Sequence, residues 1–74
     1  MKRPSPTQIL NRIDAVGSTT AATLKEIEGL LEELGKARDT AGHRLAIARV
    51  DAARQHVRHA LSILDVTYDD FSPL

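Results

Sequence analysis

The chain has no cysteine and no tryptophan, and Tyr68 and Phe71 are its only tyrosine and phenylalanine. Without cysteine there is no disulfide and no thiolate metal site. That absence fits a reducing compartment. Without an aromatic side chain before residue 68, the body must be packed with Leu, Ile, Val and Ala. Such residues suit helix-on-helix packing, where alanine lets helices approach closely. No apolar run approaches the roughly 20 residues that cross a membrane. The N-terminal MKRPSPTQ is followed by no apolar stretch of the kind a secretory signal needs. A soluble, intracellular (cytoplasmic) protein is the expectation. There is no glycine-rich phosphate loop and no G-x-S-x-G turn. Asp69 and Asp70 are adjacent, so their side chains diverge. No enzyme and no cofactor are expected.

At 74 residues the chain is one domain. A monomer this small buries little surface, and small scaffolds usually need a disulfide, a metal or oligomerisation. With cysteine absent, self-association is the expected source of extra core.

The sequence reads as all-α: a short N-terminal helix, then an antiparallel helical hairpin that assembles as a homo-oligomer. Residues 1–5 read as a disordered arm, 6–66 as the helical domain and 67–74 as a tail. Ile9, Leu10, Ile13 and Val16 make the first helix amphipathic over 6–16, with Ser5 or Thr7 as its cap. Gly17 and Ser18 suggest a break or bend, because glycine costs a helix about 1 kcal/mol relative to alanine. The apolar spacing nevertheless runs on through Thr20, Leu24, Ile27, Leu31 and Leu34, so a continuous helix is the alternative. The second helix is expected over 18–34, with Leu24, Ile27, Leu30, Leu31 and Leu34 buried and Gly35 just past its end. The polar GKARDTAGH allows only a helix–helix connection, hence antiparallel neighbours. The third helix is expected over 40–66, capped by Asp39 or Thr40. Ile47, Val50, Val57, Leu61 and Leu64 form its bulky row, with Ala46, Ala53 and Ala60 as a small row in the same seam.

Net charge is zero but unevenly spread. Residues 18–36 carry Lys25 and Lys36 against Glu26, Glu28, Glu32 and Glu33, a balance of −2. Residues 43–64 carry Arg44, Arg49, Arg54 and Arg58 against Asp51, a balance of +3. Arg54 and Arg58 share a helix face, flanking the expected seam. Arg44, Asp51, Arg58 and Ser62 lie near one line, with Gln55 and His59 beside it. One reading is a solvated face with salt bridges to the acidic helix. The other is that several copies meet and their arginines converge on phosphate, which a guanidinium fork binds through two hydrogen bonds. His56 and His59 are spaced to share a metal, but zinc sites normally take three or four ligands and no further ligand is evident, so no metal is expected. The zero net charge and the acidic tail argue against duplex DNA. A small, compact anion fits better than a long polyanion.

The last helix reads R-L-A-I-A-R over Arg44–Arg49, then Val57, Arg58, Ala60 and Leu61. This order resembles the small phage proteins that defeat CBASS immunity by sequestering cyclic oligonucleotide signals, whose helical hairpin domain is shared with some anti-Thoeris proteins. The likeness covers roughly residues 9–64. The resemblance implies a hexamer of helical hairpins, acting without catalysis in the cytoplasm of an infected bacterial host. It also implies cyclic dinucleotide pockets between protomers and, in some members, cyclic trinucleotide pockets on threefold axes. Arg58 matches the family arginine of the trinucleotide pocket, and Lys25 sits where a lysine contacts phosphate in the dinucleotide pocket. The family's N-terminal aromatic is missing here. Either Tyr68 of a neighbouring tail supplies that stack, or the pocket is altered. Val50 and Ala52 replace the motif's threonine and leucine, and Gly42 and His43 lengthen the preceding turn.

The leading expectation is therefore sequestration of a cyclic di- or trinucleotide, with Arg58, Arg54, His59, Lys25 and Tyr68 as ligand-binding candidates. The alternative is a small protein-binding module or phage inhibitor whose tail, VTYDDFSPL, anchors through Tyr68 and Phe71. A small DNA-associated regulator is the third reading.

Overall fold

A computed structural model describes residues 3–37 and 41–71 of the chain. Two helices run antiparallel: α1 from Pro6 to Lys36 and α2 from Ala41 to Phe71. Ser5 caps α1 in extended backbone, with its hydroxyl accepting from the Gln8 N–H at 3.2 Å. The Gln8 side chain returns the bond to the Ser5 N–H at 2.9 Å, closing a capping box. Pro6 at the first helical position loses no hydrogen bond by lacking an N–H.

The expected break at Gly17–Ser18 is absent: α1 is one helix, so there is no separate N-terminal helix. The apolar spacing on both sides outweighs the glycine: it keeps one face toward α2, and a break would pull half of that face away. The hydroxyls of Thr19 and Thr20 bond the carbonyls of Ala15 and Val16, at 3.1 and 2.8 Å, so their side chains are satisfied within the helix.

Both ends of the helices differ from expectation too. Gly35 does not end α1, which runs one residue further to Lys36. Ala37, in extended backbone, then donates to the Leu34 carbonyl at 3.2 Å. His43 Nε2 also donates to that carbonyl, tying the start of α2 to the end of α1. The expected caps Asp39 and Thr40 lie outside the described residues. At the far end α2 continues past Val66 to Phe71, so Thr67, Tyr68 and Asp69 are helical rather than tail. Thr67 donates to the Ile63 carbonyl at 2.7 Å.

The seam between the helices follows a seven-residue repeat. On α1 its half-buried members are Ile13, Gly17, Thr20, Leu24, Ile27, Leu31 and Leu34. On α2 they are His43, Ile47, Val50, Arg54, Val57, Leu61 and Leu64. The alanine row was expected in this seam with Arg54 beside it; the structure keeps only Ala46 half-buried and draws Arg54 in. Ala53 and Ala60 are exposed, and Arg54 occupies the place in the repeat between Ile47 and Leu61. Ile47 and Leu61 are half-buried as expected, and the position between them in the repeat is Arg54, which therefore enters the seam with them.

The repeat leaves two flanking sides. On one lie Asp14, Ala21 and Glu28 of α1 with Arg44, Asp51, Arg58 and Asp65 of α2. On the other, α1 offers Ile9, Val16, Thr23 and Leu30. Across from them α2 offers Ala46, Ala53, Ala60 and Thr67. Leu30, expected in the core, is 44 % exposed on this second side. No described residue is fully buried. The molecule is a rod of 54 × 20 × 19 Å with a radius of gyration of 17.0 Å. A compact chain of this length has a radius of about 11 Å.

A Cβ built at Gly17 meets no atom within 4 Å. Gly17→Ala should therefore stabilise the continuous helix by about 0.5–1 kcal/mol. Urea denaturation followed by circular dichroism measures this; a loss of stability would mean that α1 bends at residue 17.

Candidate functional site

Where the seam carries Gly17 instead of a large side chain, it does not close. A groove of about 820 Å³ opens there on the charged side. Leu24 and Leu61 form its apolar floor together with Ile13 and Leu64, and Arg58, Asp14, Asp65 and Asp69 stand around it. Tyr68 and Ser62 line it as well, because α2 stays helical beyond Val66.

The structure brings two of the five sequence candidates together, Arg58 and Tyr68, and separates the other three from them. Arg54 lies in the seam, one turn from Asp51, and its Nη2 donates to Asp51 Oδ1 at 2.7 Å. Asp51 Oδ2 accepts a second bond from Gln55 at 3.0 Å. The Arg54 Nε is shielded from solvent and has no acceptor among the described residues. Arg54 is therefore committed to a pair 31 % and 38 % exposed, and its aliphatic stem fills a core position. His59 is exposed on the outer surface of α2, and Lys25 is exposed on α1; neither lines the groove.

The groove also contains carboxylates that the sequence reading left out. Arg58 stands against Asp14, Asp65 and Asp69, a formal balance of −2. The signal for Asp14 and Asp65 was their place in the seven-residue repeat, one step from the seam. For Asp69 it was the absence of a helix breaker before Pro73. Within one chain an anion in this groove meets more carboxylate than guanidinium. Among the described residues no three His, Asp or Glu side chains are grouped to hold a metal ion. No helix of the described chain is long and apolar enough to cross a membrane.

No family model, curated protein or solved structure matches the chain.

The two ion pairs within helices should differ in weight. Lys36–Glu32 is well exposed at 3.5 Å, and Glu32→Gln should change stability by less than about 0.5 kcal/mol. Asp51→Asn leaves the Arg54 guanidinium half-buried without its counter-charge and should cost about 1 kcal/mol or more. Denaturation midpoints of the two variants measure the difference; equal effects would mean that Arg54 turns out to solvent.

Proposed function

We propose that the protein is a non-enzymatic binding protein that assembles as a homo-oligomer and sequesters a cyclic di- or trinucleotide, as phage anti-CBASS sponges do. The observation that carries the reading is that Arg58, the arginine of the R-L-A-I-A-R…V-R helix, lines the same groove as Tyr68. A guanidinium and a phenol in one cleft can meet the two halves of a nucleotide. The guanidinium binds phosphate through a charge-assisted fork, and the ring stacks on a base. The groove's volume falls in the range of small-ligand pockets.

The formal balance of −2 sets a condition on this reading. One chain alone does not offer enough positive charge, so neighbouring copies must supply cations to the same ligand. Exposed Lys25 and His59 are available for that role, and a hexamer of hairpins is the assembly the sequence resemblance implies. Arg54 is demoted from ligand contact to a structural part of the seam.

A second reading, a module acting through protein–protein contact, is favoured by a separate observation. Ile63 and Val66 are 51 % and 58 % exposed on α2, with Phe71 also exposed. Among the described residues these apolar side chains are covered only in part.

Native mass spectrometry with a panel of cyclic di- and trinucleotides distinguishes the two. The expected result is an oligomer whose mass rises by one or more ligands. Arg58→Ala should keep the oligomer and lose at least about tenfold in affinity by calorimetry, the loss of one charge-assisted contact. An intact oligomer that binds no cyclic nucleotide rejects the ligand. Unchanged affinity in Arg58→Ala rejects the role given to Arg58.

A further inference from the structure

We infer that the uncharged side of the hairpin is where a second copy of the chain docks, by a two-fold contact that sets the bulky row of each copy over the alanine row of the other. This deepens the assembly half of the proposed function and is independent of the ligand half.

The first ground is area. The chain exposes 6109 Å² at a mass of 8.1 kDa. A compact folded monomer of that mass exposes about 4,500 Å². The excess of about 1,600 Å² per chain is twice the roughly 800 Å² that each partner contributes to a standard interface. The missing core is of the size that a stable association supplies.

The second ground is the chemistry of the two sides. Six of the eight positions flanking the seam on the groove side are charged, Asp14, Glu28, Arg44, Asp51, Arg58 and Asp65; the other two are Ala21 and Gly35. None of the eight on the opposite side is. Its only polar side chains are Thr23 and Thr67, and both hydroxyls are already committed to their own helix. They donate to the Thr19 and Ile63 carbonyls at 3.0 and 2.7 Å. Covering this side buries no charge and leaves no hydroxyl donor without an acceptor.

The third ground identifies the occupant. The register set by His43 and Leu34 carries Val16 to the level of Ala60, Thr23 to Ala53, and Leu30 to Ala46. A two-fold axis running along the hairpin preserves those levels and exchanges α1 for α2. Val16 and Leu30 of one copy, 43 % and 44 % exposed, then land on Ala60 and Ala46 of the other. The contact is isologous and closes as a four-helix arrangement with antiparallel neighbours. A partner of unrelated sequence would need the same pair of rows at the same spacing; a second copy has them by construction. This pairing leaves both charged grooves facing outward, free for ligand or for further contacts.

The test compares two charges, one helical step apart. Light scattering on the wild-type chain at micromolar concentration should give a mass at least twice 8.1 kDa. Ala53→Glu places a carboxylate at the centre of the contact and should raise the dissociation constant at least about a hundredfold. Ala52→Glu, on the outer surface of α2, should leave it unchanged. Should Ala53→Glu lose its helix content altogether, wild-type helicity must fall on dilution, because folding and pairing are then coupled. A monomeric wild-type chain, equal effects of the two variants, or helicity that is lost in Ala53→Glu yet independent of concentration in the wild type would each overturn the inference. Pairing in a chain that takes up no member of the cyclic-nucleotide panel leaves this inference standing while the ligand reading fails.

Discussion

Everything in this molecule hangs on one seven-residue repeat shared by two antiparallel helices. Ile13, Leu24, Ile27, Leu31 and Leu34 of α1 meet Ile47, Val50, Val57, Leu61 and Leu64 of α2, and no other layer of structure supports them. Because the seam is one residue wide on each helix, every side chain in it keeps some contact with solvent. A core of this kind removes apolar area only partially, and each partial burial yields correspondingly less free energy. The polar members of the repeat matter for the same reason. Gly17 leaves a groove rather than a sealed contact. Arg54 fills its place with a methylene stem and keeps its charge against Asp51.

The same repeat sorts the flanks. Charge collects on one side and small or aliphatic residues on the other, so a single hairpin carries a polar cleft and an apolar wall back to back. This division links stability to function. The wall is a surface the chain gains by covering, and the cleft is a surface that must stay open to bind anything. An assembly through the wall satisfies both requirements. Pairing through the wall would leave the groove's charge as it is, so cations for an anionic ligand would have to come from a separate contact on the groove side.

Much of the fold could be read from the sequence. Leu and Ile at intervals of three and four, the Ser5–Pro6 start and the short polar connection are local signals, and each acts within a turn or two of helix. The readings that failed were of a different kind. Gly17 looked like a stop because its intrinsic cost is local, while the seam that overrides it extends over the length of α1. The end of α2 was placed at Val66 because the apolar row thins there, yet nothing before Pro73 breaks a helix. The site was legible only in part. Arg58 and Tyr68 were both named, but that they share a cleft with Asp14, Asp65 and Asp69 depends on the alignment of α2 against α1.

The residue pattern alone makes this chain helical, runs its two long helices antiparallel through a short connection, and confines its charge to particular rows. Periodicity is enough for that, because it fixes the angle of each side chain around its own helix axis. Docking of the two helices settled how far α2 is rotated about its own axis. The bulky row was legible, but Arg54 and the alanines lie on either side of it, and no single-helix pattern says which of them the seam takes in. The choice follows from the area buried when both helices are docked in register. It turned Ala53 and Ala60 outward, drew Arg54 inward, and left Arg58 at the edge of the cleft.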